Sequence, residues 1–166
     1  MIQFNFCPKC GNKIDPQLNL PYCSHCDIAY YRNAKPCASV LPIKDGKVLL
    51  AKRGVEPHKV ANDIIGGFMV EDELPEEAAI REAKEETGLD VKITSLLGIY
   101  NDVYGEDGDR TLNLHYIGEV VGGKMQAMED VASLEWVDIN KVPLDQGFQN
   151  TKDGLRDLKK LFGNIK

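Results

Sequence analysis

At 166 residues, 43% hydrophobic and 28% charged, the chain has the make-up of a globular protein with room for one ordinary domain and a small appendage. No apolar run approaches the roughly 18–20 residues of a membrane span, so no membrane partner is expected. The net charge of −6 divides unevenly, residues 1–36 carrying +2 and the remainder −8. Such an acidic main body argues against broad nucleic-acid binding, which rests on neutralising phosphates with Lys and Arg. If it handles phosphates, it needs metal ions to do so.

The first segment, FCPKCGNKIDPQLNLPYCSHCDIAYYRNAKP, sets Cys7 and Cys10 two residues apart, then Cys23 and Cys26 likewise, with twelve residues between the pairs. Two such pairs suit a tetrahedral zinc site of four thiolates, with no open position for catalysis. A segment this short buries little core, so bound zinc is expected to supply folding energy, on the order of 10–16 kcal/mol in zinc-finger peptides. The opening MIQFNFCPKC has no basic stretch leading into an apolar core. The expected setting is therefore the reducing cytoplasm, where thiols bind metal more often than they pair. His25 is expected at the surface, Cys37 as a small buried hydrophobe, and Tyr22, Tyr30 and Tyr31 as packing between ribbon and main body.

Residues 33–36 read as a connector. Strands are expected over 37–43 and 47–53, joined by a turn at Asp45-Gly46, followed by a short apolar run, 62–68, that contains two glycines. LPEEAAIREAKEETGL has the marks of a helix: Pro75 in the first turn, Glu76 and Glu77 at the positive end, Gly88 just past the end. Its expected buried stripe is Ala79, Ile80, Ala83 and Thr87. Strands follow over 91–100, 111–121 and 134–139, with GEDGD (105–109) as a turn. A closing helix is expected over 151–162, from the helical spacing of Leu155, Leu158, Leu161 and Phe162. Strands mixed with two helices indicate a layered α/β domain over residues 37–166, behind a ribbon over 1–36.

Glu82, Glu85 and Glu86 share one face of that helix, where like charges repel. Either water screens them or something positive sits among them. Mg²⁺ takes oxygen ligands, usually a few carboxylates plus substrate phosphate. Glu-x-x-Glu-Glu alone is most often a solvated acidic face. Here Gly67, Glu73, Arg81 and Gly88 stand in register with it, in the pattern G-x5-E-x7-R-E-(apolar)-x-E-E-x-G-(apolar), nine filled positions across 23 residues.

This resembles the Nudix hydrolase signature at every defining position, and the four-cysteine start is similar to that of zinc-ribbon Nudix enzymes, including NADH pyrophosphatases. The resemblance implies an α/β/α sandwich and a Mg²⁺- (or Mn²⁺-) dependent pyrophosphohydrolase. Its substrate would be a nucleoside diphosphate linked to another moiety, such as ADP-ribose or NADH. It further implies that Glu82, Glu85 and Glu86, with a carbonyl at Gly66 or Gly67, hold the ion, and that Arg81 pairs with Glu73 to orient the helix. For the general base it allows Glu82 or an acid before a late strand, a position that Glu129 and Asp130 fit.

Arg53 could reach a substrate phosphate or be a solvated strand end, and Phe68 and Tyr104 could stack on a base, although most such aromatics are simply packing. His58 and His115 belong to no constellation. The box loop departs from the common GGxxExGE, with Val70 and Asp72 where glutamate and glycine are frequent. The SQPW-like segment of NADH pyrophosphatases and the later proline of many ADP-ribose hydrolases are both missing. A nucleoside triphosphate therefore stands as an alternative substrate. Two further readings give the ribbon the leading role, as a nucleotide- or RNA-binding module or as the contact of a homodimer.

Overall fold

The computed structural model describes residues 5–14, 20–105 and 108–163. Part of the expected turn, Glu106 and Asp107, lies outside them, as does Asp15. The ribbon contributes two short antiparallel strands, β1 (Tyr22–Cys23) and β2 (Ile28–Ala29). Cys7, Ile14 and Cys23 form its small core.

The main body starts with β3 (Lys35–Lys44) and β4 (Lys47–Arg53), joined at Asp45-Gly46 as the sequence indicates. β3 begins inside the expected connector, because Lys35 and Pro36 already pair in parallel with Thr111 and Leu112. β3 and β4 pair only beside their turn and then diverge. The apolar run at 62–68 is divided between them. β5 (Asn62–Asp63) joins β4, and β6 (Ile65–Phe68) joins β3. Helix α1 (Pro75–Thr87) follows. Glu77 accepts the Leu74 N–H at its start, and Gly88 closes its end in the left-handed conformation (φ 68°).

β7 (Leu89–Tyr104) and β8 (Asp109–Gly123) form one long hairpin, several residues longer than the sequence indicates. β9 (Val131–Asp138) returns to β4, and a 3₁₀ turn (Ile139–Lys141) leads to α2 (Gln149–Phe162). The strand order is β5-β4-β3-β8-β7, with β6 on β3 and β9 on β4.

Two cores separate the layers. Toward α1, Ala38, Val40, Leu49 and Ile65 meet Ala78, Ala79 and Ala83. Toward α2, Leu41, Val48, Leu50 and Ile117 meet Leu155 and Leu158. This is the expected α/β/α sandwich. The buried stripe of α1 is Ala78, Ala79, Ala83 and Thr87. Ile80 is 39% exposed, because the stripe follows the i, i+1, i+5 positions that face β3 and β6 and leaves Ile80 at the rim. The ribbon tyrosines do not form the expected packing layer either. Tyr22 and Tyr31 are exposed, and Tyr30 is engaged within the ribbon, its hydroxyl 3.0 Å from Cys7 Sγ.

Gly66 and Gly67 are the tight point of the sheet. Gly66 pairs with Ser39 at φ +150°, and a Cβ there would collide with the Ala38 carbonyl and Ser39 Cα. Gly66→Ala is expected to cost about 2 kcal/mol or more, read as a lowered urea midpoint; an unchanged midpoint would contradict this placement.

His115 on β8 is a buried polar group, 1% exposed, beneath Gly154 of α2. Its ring lies 4.9 Å from Tyr100, and neither ring nitrogen has a hydrogen-bond partner among the described residues. Burial pushes its pKa down from 6.5 to about 4, against the smaller upward pull of Asn150 and Asp102. The unfolded chain therefore binds a proton between those values that the folded chain does not, and stability falls as pH drops from about 6.5 toward 4. His115→Phe should flatten that part of the stability–pH curve, by on the order of 3 kcal/mol. Superimposable curves for the two proteins would refute the assignment.

Candidate active site

The site grows from the second half of α1 and the loop before that helix. Arg81 projects its guanidinium back over that loop and grips Glu73 with both faces of its fork, Nε to Oε2 at 3.0 Å and Nη2 to Oε1 at 2.9 Å. Its Nη2 also donates to the Phe68 carbonyl at 3.2 Å. Nη1 donates to Glu82 and Glu85, each at 2.8 Å. The positive group that the glutamate face requires is thus partly Arg81 itself. Glu73 accepts in addition from the Val70 N–H at 2.7 Å, and these partners hold its carboxyl below the ordinary range.

Glu86 lies beyond the reach of Arg81. Its Oε2 accepts from the Gly66 N–H at 3.0 Å. Burial, with Glu82 and Asp63 adding repulsion, pushes its pKa up to about 8. Burial also raises Glu82, against the pull of Arg81 and with help from Glu85 and Glu129. The Glu82 carboxylate occupies the space a side chain at Gly67 would fill, 2.7 to 2.8 Å from that Cβ position. A half-buried acid pair with too little positive charge, against a bare strand, is a donor set that fits a hard divalent cation.

Gly66 and Gly67 have the glutamates on one side and a cleft on the other. Arg53, Phe68 and Tyr104, set apart in the sequence, all line that cleft. Phe68 meets Tyr104 edge-on at 5.4 Å, and Tyr104 stacks on Phe148 at 5.6 Å and 20°. Arg53 lies 5.0 Å over the Phe148 ring, while its Nε donates to the Pro57 carbonyl and its Nη1 to Asp63. Asp63 is largely enclosed, and desolvation raises its pKa although Thr151, Arg53 and the Ile64 N–H all donate to it.

Glu129 and Asp130 are exposed and immediately precede β9. The Asp130 carbonyl anchors this loop by accepting from the Gly54 N–H at 2.6 Å, and the Glu129 charge bears on Glu82. His58 meets Phe148 edge-on at 4.7 Å, outside the acid cluster.

Sequence reasoning did not single out Asp63, Asp102, Asn113, Phe148 or Asn150, which line the same cleft. One local signal pointed that way. Thr111 and Asn113 are polar on one face of a strand whose neighbouring Leu112 and Leu114 are apolar, and both line the cleft, whereas His115 on the same face is buried under α2. Nothing local marked Asp63 or Phe148.

In the ribbon, one sulfur from each of Cys7, Cys10, Cys23 and Cys26 lies within 4.8 Å of the others, a quartet that could hold zinc. The Tyr30 hydroxyl draws the Cys7 thiol down to about 6. His25 stays exposed beside the quartet, as expected.

The profile of the NUDIX domain matches residues 34–158. The chain is 40% identical over 100 residues to an ADP-ribose pyrophosphatase of Methanocaldococcus jannaschii, covering 60% of this chain and 59% of that protein. It is 27% identical over 163 residues to the NAD-capped RNA hydrolase NudC of Vibrio atlanticus, covering 91% of this chain and 58% of that one. It therefore spans a little over half the length of these curated relatives. Among solved structures, a NUDIX hydrolase from Nitrosomonas europaea superposes with a TM-score of 0.79 at 23% identity, over 96% of this chain and 93% of that one. With its glutamate helix, glycine seam and family match in agreement, the chain belongs to the Nudix family.

Proposed function

We propose that this protein is a Mg²⁺- or Mn²⁺-dependent pyrophosphohydrolase. Its substrate is a nucleoside diphosphate linked to a second moiety, such as ADP-ribose or NADH. Water attacks one phosphorus of the bridging diphosphate, the bridging P–O bond breaks, and a nucleoside monophosphate leaves with a phosphorylated second product. The observation that carries this reading is the contact of Glu82 and Glu86 with Gly66 and Gly67, whose other side faces an aromatic cleft. The names of the relatives from M. jannaschii and V. atlanticus agree with a substrate of this class.

Glu82, Glu85, Glu86 and the Gly67 carbonyl would hold the ion. When bound, it supplies charge neutralisation to the diphosphate and acidity to water. Arg81 and Glu73 are positioning residues that fix α1 against the loop. The proton of the attacking water would go to Glu82 or to an acid of the loop before β9, Glu129 or Asp130, a loop held by the Gly54 N–H on the Asp130 carbonyl. Phe68 and Tyr104 offer faces to a base, and Arg53 sets the rim of the cleft.

The ribbon, residues 1–36, holds a structural Zn²⁺ on Cys7, Cys10, Cys23 and Cys26 and precedes the hydrolase domain, residues 37–166. Thiols kept for metal suit a reducing compartment such as the cytoplasm.

Glu85→Gln and Glu86→Gln should each lower kcat on ADP-ribose or NADH by about 100-fold or more while leaving the circular dichroism spectrum unchanged. Full activity in both would overturn the reading. Replacing zinc by Co²⁺ should produce the thiolate-to-metal absorption of a tetrahedral four-sulfur site, lost in Cys10→Ser. A cobalt spectrum without thiolate bands would remove zinc from the ribbon.

A further inference from the structure

The helical layers do not cover the sheet evenly. On the α1 side, β8 enters the core with Tyr116 and Leu114 and leaves it at Leu112. The β7–β8 hairpin sets Leu96 opposite Tyr116, Ile99 opposite Leu114 and Asn101 opposite Leu112, and residues so paired share a face. Leu96, Ile99 and Leu112 are 48%, 56% and 37% exposed there. An antiparallel sheet with one solvated face normally turns its polar residues to the water. Here all three rungs give the water an apolar side chain, while the polar Thr111 and Asn113 turn the other way and line the cleft. Contiguous apolar surface of this kind marks a docking face. Strand addition at the β7 edge is disfavoured, because register shifts at Ile93/Ser95 and Leu96/Gly98 break its ladder. A partner must therefore pack side chains on the face.

The rim of this apolar strip is acidic. Glu76 is exposed in the first turn of α1. Burial raises the Tyr116 pKa and the Glu76 charge adds to it, which places Glu76 beside the strip. The matching surface is an apolar knob with a positive charge next to it, and the ribbon carries one. Phe6, 62% exposed, is bridged antiparallel to Lys13, itself exposed, so ring and ammonium stand on one side of the ribbon. Net charge agrees, with +2 on residues 1–36 against −8 on the rest. The root of the ribbon also lies at the strip, since Lys35 pairs with Thr111, the neighbour of Leu112. The strip is exposed with the chain's own ribbon in place.

We propose that the ribbon of one copy docks on the hairpin strip of a second copy, with Phe6 against Ile99 and Leu112 and Lys13 toward Glu76. The contact is made twice, about a two-fold axis. Knob and strip flank the same junction at Lys35, so one axis there closes both contacts and leaves no unfilled end for a filament. The aromatic anchor in an apolar bed and the flanking charge pair divide the work in the usual way, one supplying affinity and the other register. The reading gives the cysteine ribbon a task outside the glutamate site and does not depend on which reaction that site performs.

Sedimentation of the full chain, purified with zinc, tests the proposal. It should run at twice the 18.5 kDa of one copy. Phe6→Ser and Ile99→Glu should each raise the dimer Kd by about tenfold or more. Both positions are exposed, so the circular dichroism spectrum should not change. An equimolar mixture of these two variants should dimerise more tightly than either alone, because the mixed pair rebuilds one intact contact from the sound ribbon of one chain and the sound strip of the other. Lys13→Glu and Glu76→Lys should each weaken the dimer, and the two together in one chain should restore it. A monomeric chain, a dimer indifferent to Phe6→Ser, or a mixture no tighter than its components would overturn the proposal. A dimer that responds to Ile99→Glu alone would do the same, since it would join strip to strip. None of these readouts involves turnover, so they stand or fall apart from the hydrolase reading.

Discussion

Five hydrogen bonds from one guanidinium organise the catalytic half of this molecule. Arg81 grips Glu73 on the loop before α1, the Phe68 carbonyl at the end of β6, and Glu82 and Glu85 on its own helix. A planar fork with five donors can do this, whereas a lysine ammonium cannot hold one carboxylate bidentately and still reach the others. Strand, loop and helix are thereby brought to one register, and the repulsion expected within the glutamate face is offset for two of its three members. Glu86 is left out, resting on a single backbone N–H in a desolvated position. That residual, uncompensated acidity is where a divalent cation would fit.

The glycine seam converts this arrangement into a site with two sides. α1 presents alanines to the sheet, Ala78, Ala79 and Ala83, all fully buried, so the helix lies close. Its glutamates then reach β6, where Glu82 fills the volume a Gly67 side chain would occupy. With no side chains on Gly66 and Gly67, carboxylates and cleft are separated only by backbone. The polar floor and aromatic walls of the cleft come from β3 to β8 and the start of α2. The carboxylates are thus carried by α1 and most of the cleft lining by other elements, with Phe68 joining the two, since it lines the cleft and its carbonyl accepts from Arg81.

Several particular residues show how far the linear chain could be read. The box from Gly67 to Leu89 and the cysteine quartet were legible because their geometry is local. Helical spacing alone places Glu82, Glu85 and Glu86 together, and short Cys-x-x-Cys loops alone place two sulfurs together. The buried stripe of α1 was read one residue off, since helical period does not say which rim faces solvent once a sheet arrives. The ribbon tyrosines were read as domain packing, yet Tyr30 serves Cys7 while Tyr22 and Tyr31 stay exposed. Arg53 was legible as a cleft residue but not as one already engaged, because its partner Asp63 belongs to a strand that breaks away from its own neighbours.

By itself the sequence determined the family of this protein, the helix that bears its signature and the hairpin turn at Asp45-Gly46. All of these rest on contacts between residues a few positions apart. Only the tertiary structure decided the cleft. Phe68, Tyr104 and Phe148 meet across eighty positions of chain, and Thr151 reaches Asp63 across 88. Asn113 stands opposite Tyr100, and Asp102 opposite Thr111, only in the register of one hairpin. Such pairings depend on strand order and on where α2 docks, quantities that no local period or spacing encodes.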